Sequence, residues 1–155
     1  KMHINNVFCN SHGMYISGLR TGGMLHFNGN AINMAVELPA GTHNAQPFRD
    51  GVLFNDSADD VLRYTGRGEG KEDRAMAVTK YDPNELTHQT SEDEKLARPG
   101  FARGLCLLSD TVVAGGASPS TVTIYDLAEN TTLGSVQLSK DVRNAIHGLE
   151  VWPFT

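Results

Sequence analysis

The stretch RGLCLL, residues Arg103–Leu108, has three counterparts of the same length elsewhere in the 155-residue chain. They are HINNVF at His3–Phe8, HNAQPF at His43–Phe48 and HGLEVW at His147–Trp152. All four begin with histidine or arginine and carry a bulky apolar residue five positions later. Their starts are 40, 60 and 44 residues apart, and β-propeller blades repeat at about 40–50 residues. The spacing therefore predicts that each stretch is the first strand of a blade.

Turn residues divide each interval into short segments rich in apolar and β-branched residues. In the first interval, turns at 10–13 and at Asn28-Gly29 separate segments at 14–18, 23–27 and 32–38. Asn-Gly is the dipeptide that tight hairpins favour, because both residues tolerate a positive φ. We therefore predict an all-β protein built from four-stranded meanders. A β-sandwich, the competing architecture, does not explain four equivalent first strands.

The predicted blades cover residues 3–40, 43–100 and 103–140, and a further first strand covers 146–154. The second blade is lengthened by a charged insertion near 66–97, in which Asp82–Glu85 predicts a short helical turn. The fourth strand of this blade is predicted at 76–81. Residues 1–155 are thus predicted to form a single, partial β-propeller domain of three blades and one extra strand.

Three blades and one strand do not close a ring, since propellers have about 4–8 blades. An open array also leaves unpaired strand edges. The sequence therefore predicts either a longer polypeptide or another chain or copy that completes the propeller. Two three-bladed chains would make six blades, so this chain is expected to be half of a six-bladed ring.

Composition excludes several classes of partner. The net charge is −5 and the 13 basic residues are scattered, so no nucleic-acid surface is expected. No apolar run approaches the roughly 20 residues that span a bilayer, and no signal peptide is visible after Lys1. We expect a soluble protein of unknown compartment. Cys9 and Cys106 lie in apolar runs and are predicted to be buried, unpaired thiols.

Three short runs carry a family resemblance: RPGFARGL at Arg98–Leu105, HINN at His3–Asn6 and THNA at Thr42–Ala45. They resemble a little-characterised bacterial group of six-bladed propellers that is loosely related to the NHL-like class. In that group a Pro-Gly-aromatic-x-Arg-Gly-Leu run and first-strand histidines recur. The resemblance implies a six-bladed architecture and no settled activity.

Equivalent first-strand positions point towards one axis in a propeller, which predicts that His3, His43, Arg103 and His147 converge. Three imidazoles can bind Zn²⁺, Mn²⁺ or Fe²⁺ and leave an open position for water. Arg103 would then bind a carboxylate or phosphate, because its planar guanidinium matches both. Glu150 is a candidate base or orienting group. This set predicts a metal-assisted hydrolase or lyase that acts on a small anionic molecule.

The alternative is a non-catalytic propeller that binds a ligand or a protein. In that interpretation the histidines line a wet channel and satisfy loop carbonyl groups without metal. Asn5, Asn44 and Gln46 flank the imidazoles, where they either donate to a polar small-molecule ligand or join one blade to the next. Because propellers host both classes of function, the fold does not choose between them.

Overall fold

The computed structural model describes residues 2–68, 70–93 and 98–154. In that part of the chain the protein contains three sheets, each with four antiparallel strands in chain order. This confirms the predicted all-β class and the repeated four-stranded unit. The first sheet consists of β1 (Ile4–Asn10), β2 (Gly13–Gly18), β3 (Gly23–Phe27) and β4 (Ile32–Glu37).

The other two sheets repeat this meander. The second sheet consists of β5 (Thr42–Phe48), β6 (Gly51–Asp56), β7 (Val61–Gly66) and β8 (Asp73–Ala77). The third sheet consists of β9 (Ala102–Leu107), β10 (Val112–Ala117), β11 (Thr121–Asp126) and β12 (Thr131–Gln137). Each sheet begins within one residue of the start of an aligned stretch, so the repeat located the first strands correctly.

The predicted insertion differs in detail from the structure. A 3₁₀ turn at Pro83–Glu85 confirms the predicted helical turn, and the Asp82 carboxylate accepts a bond from the Asn84 N–H at 2.9 Å. β8 was expected at 76–81 but begins at Asp73, whose carboxylate accepts from the Thr65 hydroxyl of β7 at 3.0 Å. Residues 69 and 94–97 of the insertion lie outside the described residues.

Residues 146–154, expected to be a first strand, form no strand in the described chain, since they share no ladder with another strand. The chain also divides into two compact units, Lys1–Arg74 and Ala75–Thr155. The predicted second blade crosses the boundary between these units.

The core of the first unit lies between its two sheets. Buried apolar side chains from β3, β5 and β6 pack together there, with half-buried apolar residues of β2 and β4 beside them. The buried members are Met24, Ala45, Val52 and Phe54. Burying a methionine, valine or phenylalanine side chain of this kind contributes about 1.5–3 kcal/mol.

The second unit buries one face of its sheet. Val113, Tyr125 and Val142 are almost fully buried, and Val78 packs with Ala102 and Ala117 in a small cluster. Cys106 is buried as predicted, whereas Cys9 is exposed. The prediction was wrong for Cys9 because β1 turns that residue to a face of its sheet that the described chain leaves uncovered.

A β-bulge recurs between the first and second strand of every sheet. The register shifts between Ile4 and Asn6, between His43 and Gln46, and opposite Gly115–Ala117 of β10. Asn44 (φ 54°) and Gly104 (φ 78°) are left-handed, and each directly follows an aligned basic residue. A bulge of this kind removes residues from the ladder and re-aims their neighbours.

Gly116 allows close packing at the bulge of the third sheet. A Cβ atom at Gly116 would lie 2.4 Å from the Arg103 carbonyl oxygen and 2.5 Å from Ile146 Cγ2. Overpacking of this kind costs about 1–3 kcal/mol, so Gly116→Ala should lower the free energy of unfolding by about that amount in urea titrations. Gly134→Ala is the control, since its Cβ meets nothing within 4 Å, and it should not destabilise the protein. Equal losses in both variants would contradict the contact.

Tyr64 generates a pH-dependent contribution to stability. Burial, and then the bond that its hydroxyl donates to the Asp50 carboxylate, raise the pKa of Tyr64 to about 12 from 10.0. A raised folded-state pKa stabilises the protein fully below pH 10, and the contribution declines as pH rises from 10 towards 12. The urea midpoint should therefore fall less steeply above pH 10 in Tyr64→Phe than in wild type. Tyr81→Phe keeps the Tyr64–Asp50 pair and should follow wild type; a wild-type slope in Tyr64→Phe would refute the assignment.

Candidate functional site

His43 lies inside the first unit, near the start of β5. The residue is 4% exposed, and its Nδ1 lies 2.9 Å from both the Gly41 carbonyl oxygen and the Ser57 hydroxyl oxygen. A carbonyl oxygen only accepts, so Nδ1 donates to the Gly41 carbonyl oxygen. His43 is thus oriented by loop groups, as the channel-lining interpretation expects.

Polar side chains of the first sheet bond to the bulge of β5. The bulge leaves Ala45 outside the β5–β6 ladder. The Ser17 hydroxyl accepts from the Ala45 N–H at 3.2 Å, and Asn6 Nδ2 donates to the Ala45 carbonyl oxygen at 3.3 Å. Asn5 Nδ2 donates to the Thr42 carbonyl oxygen at 2.9 Å. Asn5 therefore joins one sheet to the next.

Two other predicted ligand-binding residues are buried in β5. Asn44 Oδ1 accepts from Asn55 Nδ2 of β6 at 3.3 Å. Gln46 Nε2 is buried and has no hydrogen-bond partner among the described residues. A buried donor without an acceptor costs about 1–3 kcal/mol. Gln46 therefore has a side-chain donor whose hydrogen bonding is not satisfied among the described residues.

Arg103 and His147 are in contact in the second unit. Arg103 Nη1 lies 3.4 Å from His147 Nε2 and 3.5 Å from Nδ1. The guanidinium lies over the Phe101 ring, 4.3 Å from its centroid. Arg103 Nε is buried without a partner in the described chain, and burial lowers the pKa of the guanidinium. The structure thus brings together two of the four residues that the repeat aligned.

The segment 146–151 carries His147 along the β9–β10 edge of the third sheet. The Ile146 N–H donates to the Ala117 carbonyl oxygen at 3.3 Å. The Ile146 side chain lies against Gly104 and Gly116, where a Cβ would meet Ile146 Cγ2 at 3.2 Å and 2.5 Å. Gly104 and Gly116 therefore form the surface against which Ile146 packs, and this contact fixes the position of the segment.

Glu150 lies near the other end of β9. Burial raises the pKa of the Cys106 thiol and the Glu150 charge raises it further, whereas a bond from the Val151 backbone lowers it. The Glu150 carboxylate accepts from the Val151 N–H at 3.1 Å. These contacts place Glu150 beside Cys106, and its predicted role as a base stays a prediction.

The predicted metal ligands are distributed over both units. His3 is exposed and left-handed (φ 50°) in the first unit, which also contains His43, whereas His147 lies in the second. Across residues 2–68, 70–93 and 98–154, no group of three or more His, Cys, Asp or Glu side chains has the arrangement of a metal site. Binding of Zn²⁺, Mn²⁺ or Fe²⁺ by the three histidines stays a prediction.

A cavity of about 430 Å³ in the first unit escaped the sequence reasoning. It lies beside β4 and β7, and Arg63 pairs there with three carboxylates. The partners are Asp56 at 3.5 Å, Asp59 at 3.2 Å and Asp73 at 3.3 Å. With Glu37 and Lys71 also in the lining, carboxylates outnumber cationic groups, so the cavity does not favour an anionic ligand.

Comparison with known proteins gives no relative: no family model, no curated protein and no solved structure matches this chain. Within the described ranges, no helix has the length and apolar character required to cross a membrane.

The metal prediction can be tested at His43. If the three histidines bind Zn²⁺, His43→Ala should lower the zinc retained per chain after loading and gel filtration, measured by elemental analysis. His12→Ala is the control, because it removes an exposed imidazole from a turn, and it should retain wild-type zinc. Zinc retention by His43→Ala equal to that of wild type, or no retained zinc in wild type, would overturn the prediction.

Proposed function

We propose that this chain is a non-catalytic binding protein that forms part of a β-propeller, and that a second copy completes the ring. The single observation that carries this proposal is an uncovered apolar face on the first sheet, called the outer face below. Its two cross-strand rows follow from the strand register. One row is Val7, Ile16, Leu25 and Met34, and the other is Cys9, Met14, Phe27 and Ile32.

The outer face is apolar in every strand yet remains partly open to solvent. Val7 is 52% exposed, Ile32 58% and Met34 46%, and the central members of the rows are half-buried. Soluble monomers rarely expose a contiguous patch of this kind, and larger patches mark protein contacts. The outer face is therefore a contact surface.

The opposite face of the first sheet is covered by a neighbouring sheet. It packs on the second sheet through the cluster of Met24, Ala45, Val52 and Phe54. The first two sheets thus stack face to face, as neighbouring propeller blades do. A further four-stranded sheet is accordingly the occupant that matches the outer face.

The segment 146–151 provides independent support. It lies on β9 and β10 of the third sheet much as β5 lies on β1 and β2 of the first. The β11–β12 side of that sheet has an apolar row, Val122 beside the 53% exposed Val136. We propose that this face of one copy accepts the outer face of the other. Two head-to-tail contacts of this type close a six-bladed ring.

We prefer a binding function to a catalytic one because His43 and Glu150, two of the predicted metal-binding and catalytic residues, are hydrogen-bonded to other groups of the protein. His43 Nδ1 bonds loop oxygens, and Glu150 accepts from the backbone N–H that follows it. The alternative is a metal-assisted hydrolase or lyase that acts on a small anionic molecule, and the measurement of zinc retained by His43→Ala tests it.

Self-association tests the proposed function. The wild-type chain should have a mass in solution near twice 16.8 kDa, measured by light scattering over a concentration series. Met34→Lys places a charge in the apolar contact, and burying an unpaired charge is costly. The variant should weaken dimerisation by roughly tenfold or more, which is about 1.4 kcal/mol.

Asn33→Lys is the matched control, because Asn33 is the exposed neighbour of Met34 on the opposite face of β4. It should retain the wild-type mass. A wild-type monomer at all concentrations, or equal weakening by both variants, would refute the proposed assembly.

A further inference from the structure

We propose that Arg103 and His147 form a binding site for the carboxylate group of a small organic acid. The site lies within the second unit, so it does not depend on the proposed assembly. It goes beyond the proposed function because it assigns a ligand class and the two residues that recognise it.

The charge of Arg103 is not balanced by a neighbouring carboxylate in the part of the chain that the structure describes. No carboxylate of the described residues lies within ion-pair distance of its guanidinium, whose bonding partner is the His147 ring. Arginine has five donors and no acceptor, so a histidine ring accepts from it only through an unprotonated nitrogen. Two basic groups in contact without an anion leave the guanidinium uncompensated.

Two other half-buried arginines differ from Arg103 in having carboxylate partners. Arg63 pairs with three carboxylates, and Arg74 pairs with Glu72. The exposed Arg143 binds Asp141 through two nitrogens, at 2.8 and 3.0 Å. In these three cases the fold supplies a carboxylate to the arginine. Arg103 has none among the described residues, so it retains donor capacity for an external acceptor.

Arg103 is also held in place by an aromatic ring. Its guanidinium lies on the Phe101 ring, an arrangement that attracts the cation to the ring face and fixes its plane. The burial that lowers the pKa of Arg103 also strips water from the cation. A partly desolvated, oriented guanidinium gains more from an anion than a solvated one does, because charge-assisted bonds strengthen at low dielectric.

His147 is open to solvent. It is an exposed residue of the 146–151 segment, so a ligand can reach its imidazole. Ile146, the residue before His147, is wedged against Gly104 and Gly116. The segment therefore fixes the imidazole next to Arg103 and leaves room for a ligand at the same point.

The number of donors favours a carboxylate over a phosphate. One guanidinium and one imidazole match the two oxygens of a carboxylate monoanion. A phosphate group carries nearly two charges and three terminal oxygens at neutral pH, and it needs more donors than this pair provides. A small organic acid is thus the ligand that the pair fits.

Acetate binding observed at the histidine rings tests the site. Sodium acetate is titrated into the full chain at constant ionic strength while the ring resonances are followed by NMR, with the His147 signal assigned from His147→Gln. The His147 resonance should shift saturably, and Arg103→Gln should weaken binding at least about tenfold. Arg20→Gln, which removes an exposed arginine of the first unit, should bind as wild type does.

Arg103→Lys provides a second variant that keeps the charge. It should bind acetate several-fold more weakly than wild type, because lysine lacks the planar fork. The site is refuted if the His147 signal does not saturate, if Arg103→Gln binds like wild type, or if Arg20→Gln weakens binding equally. Tighter binding of inorganic phosphate than of acetate would overturn the carboxylate assignment.

Discussion

Polar side chains of the first sheet satisfy the backbone of the β5 bulge, and the arrangement of the first unit depends on these bonds. The bulge removes Ala45 from the β5–β6 ladder, so its N–H and carbonyl group need partners elsewhere. Ser17 and Asn6 of the preceding sheet supply them. A buried backbone group without a partner is costly. The sheet that provides Ser17 and Asn6 must therefore lie at one distance and in one register relative to β5.

The same local geometry positions the candidate site in the second unit. Gly104 is left-handed and follows Arg103, as Asn44 follows His43. The bulge of the third sheet turns the chain at Arg103, and the close contact between Gly116 and the Arg103 carbonyl oxygen leaves no space for a side chain there. Ile146 fills the remaining space and brings His147 to the guanidinium. A backbone irregularity that repeats for structural reasons thus orients a different side chain in each sheet.

Much of the fold could be predicted from the sequence because its determinants are local. The aligned stretches located β5 and β9 to within one residue, and the Asn28-Gly29 hairpin separated β3 from β4. β8 was misplaced because its start depends on a contact between Asp73 and Thr65, which no periodicity encodes. The exposure of Cys9 was missed because an apolar run does not reveal which sheet face is covered.

The site was predictable only in part. Alignment placed Arg103 and His147 at equivalent positions and predicted that they converge; they are in contact, although residues 146–154 form no strand. The contact of Phe101 with the guanidinium could have been predicted from its position two residues before Arg103, since alternate residues of an extended chain point to the same side. The bonds that hold His43 Nδ1 depend on loop residues Gly41 and Ser57, and the sequence contains no signal for that approach.

The difference between the two cysteines has a practical consequence. Cys9 lies in a row of the outer face and is exposed, whereas Cys106 is buried, and burial raises the pKa of its thiol. Thiolates react and thiols do not, so an alkylating dye will label Cys9 in preference to Cys106. The molecule thus carries a single natural attachment point for a fluorophore or spin label, positioned to report on whatever covers the first sheet without any engineered residue.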